Sequence, residues 1–220
     1  MTLYSGTVTF LFSDVEGSTE LLKRLGEGAY ATALEQHRRI VREAFSVRDG
    51  REIDTQGDAF FYAFPRARDA VAAAVSAQRE LAGHAWPEGV DVRVRMGLHT
   101  GEPAVGEEGY TGMDVVRAAR IAAVGRGGQV LLSETTRALV GADLPDRVTA
   151  QPLGERRLKD IERPEPLHEL VIDGVPGSGD GIELDASGDT EPQSMKEQMT
   201  RMIQAKVLRE LERSLQDESG

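Results

Sequence analysis

The chain has 220 residues, of which 40% are hydrophobic and 29% charged, a balance typical of soluble globular proteins. Its formal net charge of −11 argues against a nucleic-acid partner, because binding to phosphate backbones needs clustered Lys and Arg. The chain has no cysteine, no apolar run long enough to span a membrane and no signal-peptide pattern, so we expect a cytoplasmic protein without disulfides.

Strand and helix patterns alternate through the first half of the chain. Residues 7–13 are mainly β-branched and aromatic and predict a buried strand. Ser18 or Thr19 is placed to cap the helix that follows. The other predicted elements are a helix to about residue 45 interrupted near Gly26, short strands at 51–56 and 59–64 joined by Gly57-Asp58, and an alanine-rich helix at 67–81.

The second half begins with a strand pattern at 90–99, in which apolar residues alternate with Arg93 and Arg95. This alternation predicts a half-exposed strand with both arginines facing solvent. A Gly- and Glu-rich loop follows at 101–112. The remaining predicted elements are a helix at 113–124, a strand at 129–132, a short helix to about 140, and strands at 148–152 and 167–172. Together these elements predict an α/β domain of the α+β sandwich type.

The composition changes after residue 175, so we predict a domain at 1–175 followed by a flexible acidic linker at 176–192. Ser194 to Glu197 matches a capping box, and an apolar stripe at helical spacing predicts an amphipathic helix at 193–216. Three roles remain open for this C-terminal helix. It can pack on its own domain, pair with a dimer mate, or dock a protein partner.

Two aspartates are candidates for metal binding. Asp14 follows a buried strand and Asp58 lies at a hairpin tip, and both positions place polar groups at the surface of a cleft. Two such carboxylates can hold Mg²⁺ or Mn²⁺ together with the phosphates of a nucleotide. The turn at 16–19 offers backbone N–H groups at a helix start, where phosphate binds well. The alternative is that Asp14 is a helix cap and Gly57-Asp58 an ordinary turn pair.

Five segments resemble, in order, the motifs of the class III nucleotide cyclases, the adenylate and guanylate cyclase family. FSDVEGST at 12–19 and TQGDAFFYAF at 55–64 are similar to the two metal motifs. GLHTGE at 97–102 resembles the central G-x-H-x-G strand, and GMDVVRAAR at 112–120 resembles the G-x-x-V-N-x-A-A-R helix. LKD at 158–160 resembles the late lysine segment. The resemblance implies a ferredoxin-like fold with a central, mainly antiparallel sheet flanked by helices.

The resemblance also implies a reaction. Family members convert a nucleoside triphosphate to a 3′,5′-cyclic nucleotide and pyrophosphate, with two Mg²⁺ or Mn²⁺ ions. By motif, Asp14 and Asp58 would bind these ions, Arg120 would stabilise charge on the α-phosphate, and Lys159 would approach the terminal phosphates. The backbone that would hold the β- and γ-phosphates belongs to Val15, Glu16, Gly17, Ser18 and Thr19.

Family sites lie between two subunits, so the resemblance implies a homodimer. The metal ligands would come from one chain and the arginine from the other. Two identical sites would then be related by the twofold axis, and a single chain would be inactive.

Three positions depart from the family pattern. Asp54 stands where adenylate cyclases usually have a lysine that reads adenine, and Gly109 stands at the second base-reading position. Val116 replaces the asparagine that acts in the transition state. Two hypotheses follow. The chain is a slow or divergent cyclase, in which an acidic Asp54 favours guanine and Gly109 leaves a roomy base pocket, or it is a catalytically degenerate module that binds nucleotide or only dimerises.

Overall fold

The computed structural model describes residues 3–106 and 109–181, in which strands and helices alternate. The strands are β1 (Val8–Val15), β2 (Arg51–Gln56), β3 (Ala59–Phe64), β4 (Val94–Gly101), β5 (Ala104–Gly106), β6 (Gly109–Thr111), β7 (Val130–Ser133), β8 (Val148–Arg156) and β9 (Glu165–Ile172). The helices are α1 (Ser18–Ser46), α2 (Ala67–Gly83), α3 (Met113–Val124) and α4 (Glu134–Val140), with a short 3₁₀ turn at Pro87–Gly89.

Seven strands form one sheet in the order β2-β3-β1-β4-β7-β9-β8. Only the pairing of β4 with β7 is parallel among the strand pairs described, so the sheet is mainly antiparallel, as the resemblance implied. Strands β5 and β6 form a separate two-stranded ribbon. The expected mixed fold is therefore confirmed.

Strand β1 is buried along its whole length because helices cover both of its faces. Leu11 and Val15 pack in the cluster that contains α1 and α2, whereas Phe10 and Phe12 pack with α3. Gly97 of β4 lets α3 lie close to the sheet, since a Cβ at this position would collide with the backbone of Ala122. The end of β1 is thus held rigidly in the interior of the sheet, next to the central strand β4.

Several local predictions differ from the structure. Gly17, in the left-handed region with φ 63°, is the N-cap residue of α1, and no side chain caps this helix, so Ser18 and Thr19 do not have the predicted capping role. The expected interruption of α1 is present at Gly26, which has φ 73° and ψ 169°. The predicted loop after β4 contains the β5–β6 ribbon.

The residues that follow β9, up to residue 181, pack back against the sheet. Gly179 and Gly181 donate backbone N–H bonds of 2.6 and 3.1 Å to the buried Glu169 carboxylate. Residues 176–181, which the composition assigned to the linker, therefore lie against β9. The rest of the predicted linker and the helix at 193–216 lie outside the described residues. Within residues 3–106 and 109–181, no helix is long and apolar enough to cross a membrane.

Candidate active site

The structure brings Asp14 and Asp58 together, as the sequence predicted. Strand β1 pairs antiparallel with β3, which places the β2–β3 hairpin tip beside the end of β1. The Val15 N–H donates a 3.2 Å hydrogen bond to Asp58 Oδ2, and the two carboxyl groups interact directly. Both residues are nearly inaccessible, at 1% and 2% exposure, so the expectation that they lie at the surface of a cleft is wrong for the single chain. Two carboxyl groups that repel each other when ionised are thus held in one buried place.

Burial, followed by repulsion from the neighbouring Asp58, raises the pKa of Asp14 to about 7, although the Arg95 guanidinium acts in the opposite direction. The nearby His37 does not relieve the negative charge. Its burial lowers its own pKa to about 4, so the imidazole is neutral at physiological pH. Excess negative charge therefore accumulates between the two carboxyl groups when both are ionised.

Arg95 contacts Asp14 and does not face solvent, so the environment predicted for it from the sequence pattern is wrong. It is buried at 2% exposure, and its Nη2 donates to Asp14 Oδ2 at 2.5 Å. The reason is the register, because β1 and β4 are antiparallel neighbours that pair Asp14 with Arg95. Its Nε has no hydrogen-bond partner among the described residues. No local pattern in the sequence indicates this register, so the sequence carried no direct signal for the pair.

The carboxylate oxygens of Asp14 and Asp58 are suitable ligands for a divalent cation. Hard cations such as Mg²⁺ prefer carboxylate oxygens and keep positions for water and substrate phosphates. Among residues 3–106 and 109–181, no group of three or more His, Cys, Asp and Glu side chains could hold a metal ion. The chain therefore supplies two carboxylates, and the remaining ligands of an ion would come from water, backbone or a bound phosphate.

The turn after Asp14 has fewer backbone N–H groups available for phosphate than the sequence predicted. The Val15 N–H already bonds Asp58, and the Glu16 N–H donates to the Arg93 carbonyl at 2.9 Å. The Glu16 side chain in turn accepts a 3.0 Å bond from Gly127 N–H. The first N–H groups of α1, at Ser18 and Thr19, have no carbonyl partner within the helix and no side-chain cap. The start of α1 is thus the part able to receive phosphate.

Arg120 and Lys159 both lie beside Asp160, on different elements from Asp14 and Asp58. Arg120 lies on α3, and its Nη2 donates to Asp160 Oδ2 at 2.5 Å. Asp160 and Lys159 share the turn that follows β8, the edge strand farthest from β2. The aspartate pair instead lies on β1 and the β2–β3 hairpin. One chain therefore presents two half-sites, each with part of the predicted machinery.

The remaining predicted residues lie at separate places. Asp54 is half-buried on the edge strand β2, where its Oδ1 accepts a 2.9 Å bond from Thr55 N–H. Gly109 is buried in β6 with φ 120°, opposite Gly106. The two belong to different sheets. Val116 lies one helical turn before Arg120 and shares its face of α3.

A Ser-His-Asp arrangement elsewhere does not form a hydrolase site. His99 Nδ1 lies 2.8 Å from Ser133 Oγ, and its Nε2 lies 3.2 Å from Asp114 Oδ1. Ser133 is completely buried, however, and its hydroxyl caps α4 by accepting from Thr136 N–H. A nucleophile must reach its substrate, so this network is structural.

The raised pKa of Asp14 predicts how stability depends on pH in metal-free protein. Between 3.8 and about 7 the folded state binds more protons than the unfolded chain, so the free energy of unfolding falls as pH rises. The full change is on the order of 4 kcal/mol. Urea unfolding with a chelator present, from about pH 4 to about pH 8, should show this slope in wild type and lose it in Asp14→Asn. Equal slopes in the two proteins would contradict the assignment.

Other proteins have similar sequences over most of this chain. An uncharacterised protein of Mycobacterium tuberculosis is 38% identical over 168 residues, which cover 76% of this chain and 56% of that protein. The adenylate cyclase of Neurospora crassa is 28% identical in an alignment 229 positions long, which covers 79% of this chain and 10% of that enzyme. The chain thus spans about half the length of the bacterial relative and a tenth of the fungal one.

Solved structures share the fold. An adenylate cyclase from Trypanosoma brucei, described in its monomeric state, superposes with a TM-score of 0.72 at 25% identity and covers 82% of this chain and 95% of that one. The adenylyl cyclase CyaB of P. aeruginosa gives a TM-score of 0.63 at 23% identity, with 78% and 96% covered. The family model for the adenylate and guanylate cyclase catalytic domain matches residues 3–164. This chain therefore belongs to the class III adenylate and guanylate cyclase family.

Proposed function

We propose that the protein acts as a homodimer that converts a nucleoside triphosphate to its 3′,5′-cyclic nucleotide and pyrophosphate. The observation that carries this proposal is the buried contact between Asp14 and Asp58, which concentrates negative charge beside the start of α1. Two divalent ions bound there would neutralise the triphosphate and favour ionisation of the ribose 3′-hydroxyl. Family membership supplies the reaction class, and the charge pattern supports its location.

The chain's own residues have distinct tasks in this proposal. Asp14 and Asp58 hold the cations, and Arg95 fixes the orientation of Asp14 through its 2.5 Å bond. The Ser18 and Thr19 N–H groups at the start of α1 receive the terminal phosphates, where the helix dipole also favours anions. The Val15 N–H keeps the Asp58 carboxylate in position rather than binding phosphate.

Arg120 and Lys159 complete the site of the partner subunit. Lys159 follows β8, at the opposite edge of the sheet from the β2–β3 hairpin that carries Asp58, and Arg120 contacts the neighbouring Asp160 of the same turn. A guanidinium held on a helix is suited to stabilise charge that develops on the α-phosphate. Val116, one turn earlier, cannot donate the hydrogen bond of an asparagine, so we expect turnover to be lower by about 10²–10³-fold than with that donor present.

We propose guanine as the preferred base. The Asp54 carboxylate accepts hydrogen bonds only, and the N1 and N2 groups of guanine are donors. The bond from Thr55 N–H occupies one lone pair of Oδ1 and leaves Oδ2 for a base. Gly109 has no side chain with which to exclude other bases, which supports a preference rather than strict selection.

The proposed activity is tested by incubating purified protein with Mn²⁺ and each of the four nucleoside triphosphates, and separating the products by chromatography. We expect cyclic nucleotide and pyrophosphate in equal amounts, most abundantly from GTP, and none from Asp14→Ala. Asp91→Asn is the matched control, because the Asp91 side chain is 83% exposed and lies outside the site.

Product formation that is equal in wild type and Asp14→Ala would overturn the proposal. Absence of product from all four substrates would also overturn it as an enzyme assignment. If the triphosphates then raise the melting temperature of wild type but not of Asp14→Ala, the degenerate nucleotide-binding module becomes the better description.

A further inference from the structure

The turn formed by residues 158–161 holds Asp160 against Arg120. Leu158 and Ile161 at the two ends of this turn pack with Ile121 and Val124 of α3 in one apolar cluster. The Ile161 N–H closes the turn with a 3.2 Å bond to the Leu158 carbonyl. Asp160 is the third residue of the turn and has φ 61°, in the left-handed region that most side chains avoid. The fold therefore holds a carboxylate, on a less favoured backbone conformation, directly against the arginine.

The two partners differ in exposure. The Arg120 side chain is 8% exposed, whereas that of Asp160 is 58% exposed. The carboxylate is thus largely hydrated while it contacts the arginine. Little free energy is therefore needed to separate it from the arginine when another anion takes its place. Releasing Arg120 without another anion would leave a nearly buried positive charge without this partner, which is unfavourable.

We propose that Asp160 acts as a latch that holds Arg120 in the free subunit and is replaced by phosphate oxygens when the substrate binds. The identity of the incoming anion rests on the proposed function. The ion pair cancels the charge that Arg120 would offer to a phosphate, so the exchange weakens substrate binding. A triphosphate carries more negative charge than one carboxylate and can engage the planar guanidinium with two oxygens.

The latch is tested with Asp160→Asn, because asparagine tolerates positive φ and keeps the shape of the turn while removing the charge. Calorimetric titration of the 220-residue protein with inorganic triphosphate in the presence of Mn²⁺ gives the affinity. We expect the Kd to fall by about fivefold relative to wild type, the upper range for an exposed ion pair. The melting temperature of the variant checks that the fold is intact.

Two further proteins make the result specific. In Arg120→Ala/Asp160→Asn the gain in affinity should disappear, because the gain acts through the guanidinium. Asp173→Asn, which removes an exposed partner of Arg147 elsewhere, should bind like wild type. A Kd that is unchanged or higher in Asp160→Asn, or a gain that persists without Arg120, overturns the latch.

The same proteins separate the latch from the proposed activity. If no protein forms cyclic nucleotide but Asp160→Asn binds triphosphate more tightly through Arg120, the enzyme proposal fails and the latch stands. If wild type forms product and Asp160→Asn shows no gain in affinity, the enzyme proposal stands and the latch fails. If neither wild type nor Asp160→Asn binds triphosphate, the latch fails, and both proposals fail if no cyclic nucleotide forms either.

Discussion

Asp58→Asn is expected to lower kcat by at least about 10²-fold, since losing even an outer partner of a metal ligand typically costs 10–100-fold in metal affinity or activity. Asparagine has nearly the same shape, and its amide oxygen can still accept the 3.2 Å bond from Val15 N–H. The substitution therefore removes a charge and leaves the local backbone contact. Initial rates measured across a range of Mn²⁺ concentrations should also show a higher concentration for half-saturation.

Asp91→Asn provides the comparison, because it removes the same charge from an exposed position. It should retain the kcat and the Mn²⁺ dependence of wild type. If Asp58→Asn matched wild type in both measurements, the carboxylate of residue 58 would have no role in catalysis.

Mixing two inactive variants should restore activity. We expect Arg120→Ala to lower kcat by about 10²–10³-fold, because it removes the group that stabilises charge on the α-phosphate. In a mixed dimer of Asp58→Asn and Arg120→Ala subunits, one site combines both substitutions and the other combines two intact half-sites. Equal mixing followed by subunit exchange makes half of all dimers mixed, so about a quarter of wild-type activity should return.

The rate should rise with the product of the two subunit concentrations and reach its maximum at equal amounts. Mixing Asp14→Asn with Asp58→Asn is the control, because both substitutions lie in the same half-site and no intact site can form. Restoration in this control, or its absence in the test mixture, would show that the two clusters do not complete each other across subunits.

Local signals in the sequence were sufficient for much of the fold. The hairpin of β2 and β3 follows from the turn pair Gly57-Asp58 between two short strand segments, and its observed bounds equal the predicted ones. Helix α3 also has its predicted bounds, because helical periodicity ends at a glycine. The meeting of Asp14 and Asp58 was predicted from strand ends and hairpin tips, which a sheet brings to one edge.

Contacts between residues far apart in the sequence could not be predicted from local patterns. Arg95 alternates with apolar residues and therefore has the pattern of a solvent-facing position. Its burial depends on β4 lying next to β1 in a register that pairs it with Asp14, and no local pattern encodes this register. The pair of Arg120 with Asp160 likewise depends on how the turn after β8 packs on α3.

The central claim is that Asp14 and Asp58 together bind divalent cations beside a triphosphate. Its most direct test is a titration of Mn²⁺ followed by electron paramagnetic resonance of the free ion, with a triphosphate analogue whose ribose lacks the 3′-hydroxyl. Wild type should remove Mn²⁺ from solution only when the analogue is present, and Asp58→Asn should remove much less at the same concentrations. Equal Mn²⁺ binding by the two proteins would contradict the account.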